Sequence, residues 1–181
     1  IGFTTTGQCV NLRGKGEAMA EMQPLDERDE TKVDASPTKA FFVDIITRDI
    51  LVADAIQDLI DNCIDGAKRL RPGEGASYEG LVVSLNVSED AFELEDNCGG
   101  IPLDIARKYA FRFGRAKGFD ETENSVGQFG VGMKRALFKI GRNFSVKSAA
   151  PDASFEVVVD VLKWVSDDIH WDFDLTNLNK V

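Results

Sequence analysis

From residue 52 to residue 70 the apolar side chains recur at helical spacing: Val52, Ala55, Ile56, Leu59, Ile60, Cys63, Ile64, Ala67 and Leu70. Steps of three and four predict a helix with one buried stripe. Lys68, Arg69 and Arg71, followed by Pro72-Gly73, mark its end. Ahead of it, Ser36-Pro37 is a start signal, and Ala40, Phe41, Phe42, Ile45 and Ile46 predict a short helix to about Thr47. After a loop over 73–80 the period falls to two. Leu81–Ser88 reads as a strand and Ala91–Glu95 as its hairpin partner, with Glu89 and Asp90 turning between them. Pro102 opens a helix to about Phe111, and Met133, Ala136, Leu137 and Ile140 mark another that Gly141 ends. Asn143–Ala149 and Ser154–Leu162 read as strands joined by Pro151-Asp152, and Ile169–Leu175 alternates as a third.

Two regions lack such a pattern. Residues 1–36 have no lasting periodicity, with glycines at 2, 7, 14 and 16 and an acid-rich run over 21–34. They predict a tail, or an arm that orders on a partner. Met19 and Met22 are both workable starts, which leaves part of this tail open to being an added leader. Phe113–Ser125 carries Gly114 and Gly118 with little to bury, the composition of a mobile loop. The domain is then 37–181, and with no closing strand visible before Val181 it is expected to lack its last strand.

The 181 residues suffice for one domain with a real core. A net charge of −10, from 21 basic and 31 acidic residues, argues against a general nucleic-acid surface. Cys9, Cys63 and Cys98 form no CxxC pair, which disfavours a zinc site or disulfide framework and predicts a reducing, cytoplasmic setting. No apolar run approaches a membrane span, and no signal-peptide core is present.

Three stretches carry candidate chemistry. Asp58, Asn62 and Asp65 stand at i, i+4 and i+7 and share one face of the long predicted helix. Carboxylates beside a carboxamide suit a hard cation held through oxygen and a positioned water, although a solvated helix face has the same pattern. Asp96-Asn-Cys98-Gly99-Gly100-Ile101 leaves a predicted strand with paired glycines, where backbone must approach something closely. Gly127-Gln128-Phe129-Gly130-Val131-Gly132-Met133-Lys134 runs into a helix start, where unpaired N–H groups favour an anion. Between the last two, Arg107, Lys108, Arg112, Arg115 and Lys117 occur without an acid, which suits a polyanionic ligand or an ordinary charged surface. His170 is the only histidine, and no feature around it points to catalysis.

Helix with Asp/Asn, then strand with Asp-x-x-Gly-Gly, then a basic loop, then Gly-x-x-Gly-x-Gly at a helix start resembles the GHKL ATPases: gyrase B, the heat-shock chaperones, histidine kinases and MutL. Asp-Leu-Ile-Asp-Asn-Cys-Ile-Asp-Gly and Gly-Gln-Phe-Gly-Val-Gly-Met-Lys are most similar to the chaperone and MORC-like branches. The resemblance covers about 36–175. It implies an α+β Bergerat fold, two layers with helices on one face of a mixed, largely antiparallel sheet. It implies that Asn62 holds Mg²⁺ against a triphosphate, that Asp96 accepts from the adenine amino group, and that Gly100 and Ile101 border the base. Gly127, Gln128, Phe129, Gly130, Val131, Gly132 and Lys134 match the phosphate turn, Asp65 belongs to the same binding set, and Lys117 lies in the lid over 113–125. Asp58 matches the water-activating acid.

Two positions depart from the family pattern. Cys98 replaces the first glycine of Asp-x-Gly-x-Gly, with Gly99 next to it to take the required backbone angle. Asp58 replaces the usual glutamate and is one methylene shorter, which predicts slow hydrolysis. A histidine kinase is disfavoured, since no helix carries a histidine to phosphorylate. Two functions fit the resemblance: a Mg²⁺-dependent ATPase whose turnover drives lid closure and association with a partner or a second copy, or a nucleotide-gated interaction module without significant turnover.

Overall fold

The fold comes from a computed structural model, and the residues it describes are 2–6, 33–114 and 131–181. In chain order the elements are β1 (Gly2–Thr6), α1 (Lys39–Arg48), α2 (Val52–Leu70), β2 (Val83–Val87) and β3 (Ala91–Asp96). There follow α3 (Leu103–Ile105), which widens into a π-helical turn over Ala106–Ala110, then α4 (Gly132–Ile140), β4 (Asn143–Ala149), β5 (Ala153–Asp160), α5 (Val161–Val165) and β6 (Leu175–Lys180). The strands form one six-stranded sheet in the order β2-β3-β1-β4-β5-β6. Every pairing among the described residues is antiparallel.

Alternation decides which face of the sheet is covered. Phe92 and Leu94 of β3, Phe144 and Val146 of β4, and Phe155, Val157 and Val159 of β5 are buried beneath the helices. Val158 points the other way and is 60% exposed. On that open face Lys147 pairs across the strands with Glu156 at 3.8 Å. The helices supply Ala55, Leu59, Cys63 and Ala67 from α2, and Met133, Ala136, Leu137 and Phe138 from α4. Burying each large aliphatic side chain contributes about 1.5–3 kcal/mol, so this shared core fixes how α2 lies against α4. The result is the α+β architecture expected, helices packed on a largely antiparallel sheet.

Four expectations differ from the structure. Residues 2–6 are not part of a tail: they pair with β3 and β4 in the middle of the sheet. Five residues of Gly-Phe-Thr-Thr-Thr are too short to carry a periodic signal, and their place comes from neighbours far along the chain. The strand drawn through Leu162 ends at Asp160, whose carboxylate accepts from Lys163 N at 3.1 Å and caps α5. Of the strand expected over Ile169–Leu175, only Leu175 is in one, as the first residue of β6. The alternation of that stretch comes from Trp171 and Phe173, which pack with Phe113, Phe138 and Trp164. No strand was expected beyond it, yet β6 follows, an exposed edge with no apolar alternation to reveal it.

Phe113 also belongs to this aromatic group, with ring centroids 4.8 Å from Phe42 and 5.9 Å from Phe138. It therefore anchors the start of the segment expected to be a lid; residues 115–125 lie outside those described. Lys39 is fully buried beneath the group, its ammonium donating to the carbonyls of Trp164 and His170 and lying 4.4 Å from the Trp164 ring centre. Asp168 accepts from Lys39 N at 2.7 Å, so α1 is tied to the stretch after α5.

Candidate functional site

α2 brings Asp58, Asn62 and Asp65 to one flank of its buried stripe, as their spacing requires. Asn62 is half-buried, and its amide N–H donates to the carbonyl of Asp58 one turn back. The carboxamide oxygen accepts no hydrogen bond among the described residues. A carbonyl-type oxygen left in this way is a fitting ligand for a hard cation. Among the described residues no group of three or more His, Cys, Asp or Glu could hold a metal ion. A Mg²⁺ ion at Asn62 would therefore take its other ligands from phosphates and water, which is how Mg²⁺ is commonly bound.

The start of α4 lies against this flank. A Cβ placed on Gly132 would lie 3.3 Å from the Asp58 carboxyl carbon, so the start of α4 passes close to this carboxylate. One turn further, Arg135 Nε donates to Asp58 Oδ2 at 2.8 Å. Asp61 has its pKa raised, first by burial and then by the neighbouring carboxylates of Asp58 and Asp65. Lys134, in the first turn of α4, is buried and donates to the carbonyl of Ala110 at 2.9 Å. Burial lowers its pKa to about 8. Its ammonium thus braces α4 against the π-helical turn.

Asp96 ends β3 across the other edge of α2. The Cys98 N–H donates to its Oδ1 at 2.7 Å and the Cys63 thiol to its Oδ2 at 3.3 Å. Burial, and after it the Asp96 carboxylate, pushes both thiol pKa values up, so both stay protonated. Cys63 can therefore serve as a donor. Gly66 makes this contact between helix and loop possible, since a Cβ there would lie 2.8 Å from the Cys98 carbonyl oxygen. Gly99 and Gly100 then turn the chain with φ of +96° and +69°. At Gly100 a Cβ would fall 2.2 Å from the Ala149 carbonyl oxygen, so this glycine passes directly over the end of β4. Ile101 is buried, and Ser148 Oγ accepts from its N–H at 2.8 Å and donates to its carbonyl at 3.2 Å.

The family model described as "Histidine kinase-, DNA gyrase B-, and HSP90-like ATPase" matches residues 50–176, from α2 to the start of β6. The chain belongs to this family. Neither the curated proteins nor the solved structures give a match.

The family's helix motif and its strand-end motif face one another in the structure, with Asp58, Asn62 and Asp65 on one element and Asp96, Gly100 and Ile101 at the end of the other. Of the third motif, Val131, Gly132 and Lys134 are described, whereas Gly127, Gln128, Phe129, Gly130 and the lid residue Lys117 lie outside the described residues. At Cys98, the residue expected to stand in place of a glycine, the N–H donates to Asp96, and the left-handed angle falls on Gly99. Four residues about the site were assigned no role from the sequence: Cys63 and Gly66, which lie inside the helix motif, and Arg135 and Ser148. Cys63 and Gly66 could have been found from their spacing beside Asn62, but Arg135 and Ser148 meet their partners only through the fold.

One cleft lies apart from this constellation and a second adjoins it at Cys63 and Cys98. Arg107, Lys108 and Arg112 border a cleft of about 640 Å³ with Trp171, Phe173 and Leu175, and none of the α2 residues line it. The far flank of α2 offers Cys63, Ile64 and Ala67 to an apolar cavity of about 240 Å³. That is below the usual range of about 300–1,000 Å³ for a small-molecule site.

Proposed function

We propose that this GHKL domain binds ATP with Mg²⁺ between α2, the start of α4 and the loop after β3, and hydrolyses it slowly. The observation that carries the reading is the approach of Gly132 to Asp58, which sets the start of α4 against the flank that also holds Asn62. Asn62 would hold Mg²⁺ through its carboxamide oxygen, and bound Mg²⁺ would spread the charge of the triphosphate. The first N–H groups of α4 favour the same anion. Asp58 would orient a water toward the terminal phosphate, a task that needs reach more than a shifted pKa. Aspartate is shorter than glutamate by roughly one carbon–carbon bond, about 1.5 Å, which is why turnover is expected to be slow.

At the other end Asp96 would accept from the adenine amino group, with Gly100 and Ile101 bordering the base. The motifs favour the chaperone- and MORC-like branches, in which ATP closes a lid over 113–125 and promotes self-association; the free buried thiols of Cys63 and Cys98 suit a reducing compartment. A second reading, a nucleotide-gated interaction module with no significant turnover, is favoured by the ion pair that occupies Asp58. Titration with ATP, ADP and GTP, with and without Mg²⁺, tests the binding reading. ATP is expected to bind in Mg²⁺ and GTP to compete poorly; absence of adenine-nucleotide binding overturns it. ATP-dependent self-association of Asp58→Ala with hydrolysis lost would separate the two readings in favour of gating.

A further inference from the structure

We propose that Arg135 senses the terminal phosphate: it holds Asp58 in the nucleotide-free chain and moves its guanidinium onto the terminal phosphate of a bound triphosphate, leaving Asp58 to orient water. This rests on the nucleotide-binding reading and adds a positioning residue to it. Gly132 and Arg135 are three apart on α4 and both meet the same carboxylate, Gly132 by close approach and Arg135 through the 2.8 Å bond. An anion drawn to the start of α4 would therefore arrive within one helical turn of this guanidinium. Arg135 spends only Nε on Asp58, and its two Nη nitrogens make no hydrogen bond among the described residues.

The exchange is favourable on charge and cheap in what it breaks. The Arg135 and Asp58 side chains are 39% and 23% exposed, and a pair this accessible is weak in water. A terminal phosphate carries more charge than a carboxylate and offers oxygens for a forked pair of N–H donors. Only hydrogen bonds change hands. Asp58 Oδ2 loses the Arg135 Nε–H and becomes free to accept from a water. While the ion pair stands, one acceptor position of the carboxylate is taken and the group is held toward Arg135. A diphosphate lacks the group that draws Arg135 away.

The test is calorimetric titration of the 181-residue chain in Mg²⁺ with ADP and with a non-hydrolysable ATP analogue, for wild type, Arg135→Gln, Asp58→Asn and the double variant. Arg135→Gln is expected to weaken the analogue about tenfold while ADP changes less than about twofold. Asp58→Asn is expected to bind the analogue more tightly, about twofold to fivefold, because Arg135 begins unpaired. With a mere brace between α2 and α4, any tightening comes only from losing the carboxylate charge and persists when Arg135→Gln is added, whereas the exchange predicts that it vanishes in the double variant. Equal changes for both nucleotides in Arg135→Gln, no tightening in Asp58→Asn, or tightening that persists in the double variant overturns the proposal. If Arg135→Gln fails to fold by circular dichroism, Asp58→Asn still overturns the proposal where it shows no tightening. Wild type that binds both nucleotides with an unaltered ratio in Arg135→Gln sinks this inference only. Wild type that binds neither sinks the nucleotide-binding reading, and this inference with it.

Discussion

The loop after β3 and the junction of α2 with α4 are two ends of one candidate site, and they are built in opposite ways. At the first, every polar group near Asp96 has a close partner: Cys63 and Cys98 donate to its carboxylate, and Ser148 closes both backbone groups of Ile101. Gly66 and Gly100 let helix, loop and strand meet at distances that no side chain would permit. At the second stand a partly exposed ion pair and a carboxamide oxygen with no hydrogen bond among the described residues. The first end is a fixed shape, suited to reading a base. The second holds groups that can change partners, suited to a triphosphate that comes and goes. Under the proposed function, the preorganised end would serve selectivity and the exchangeable end the chemistry that follows binding.

The contrast can be broken most severely at Gly100. Gly100→Ala puts a Cβ 2.2 Å from the Ala149 oxygen at a φ of +69°. Strain and overlap together should cost more than about 3 kcal/mol and show as a large fall in the urea midpoint. An alanine variant of near wild-type stability would mean that the loop is not fixed against β4.

Lys134 tests the junction by pH. Its pKa is about 8 in the folded chain against 10.5 for the free side chain. Below pH 8 both states hold the proton and the cost of burying the charge is fully present. Between pH 8 and 10.5 the unfolded chain binds the extra proton, so stability rises with pH, and above 10.5 the cost is gone. The drop corresponds to roughly 3 kcal/mol at about 1.4 kcal/mol per pH unit. Denaturant unfolding at pH 7.5 and pH 10 should show this rise in wild type, and a smaller one in Lys134→Met. Equal pH dependence in the two proteins would place the Lys134 ammonium in water.

Asp96→Asn sharpens the other end. A carboxylate accepts from the adenine amino group but meets a carbonyl oxygen in guanine. The substitution should lower ATP affinity by about 1.5–3 kcal/mol and narrow the preference over GTP. Competition titration would check it; an unchanged ATP-to-GTP ratio would remove Asp96 from base selection.

The same contrast explains what could be read from residues alone. α2 is legible to the residue because nine apolar positions and a basic end all point to one helix, Val52–Leu70. α4 and the β2–β3 hairpin follow for the same reason, and with them the faces bearing Asp58, Asn62 and Asp96. β1 and β6 were hidden: one is a five-residue strand far from its partners in sequence, the other an exposed edge with no alternating pattern. Local patterning also misled at Trp171 and Phe173, which alternate because they enter an aromatic cluster. Arg135 and Ser148 lie outside any motif, and their contacts span 77 and 47 residues. Local sequence thus showed the carboxylates and the carboxamide, while the groups that restrain them emerged only from tertiary packing.

The central claim is that Asn62 holds Mg²⁺ against a triphosphate, and one calorimetric comparison tests it most directly. ATP is titrated into wild type and Asn62→Ala, each with Mg²⁺ and with the metal chelated. Wild type should bind at least about tenfold more tightly in Mg²⁺, about 1.4 kcal/mol. Asn62→Ala, still folded, should bind with one weaker affinity in both conditions. The same Mg²⁺-dependent gain in variant and wild type would contradict the account.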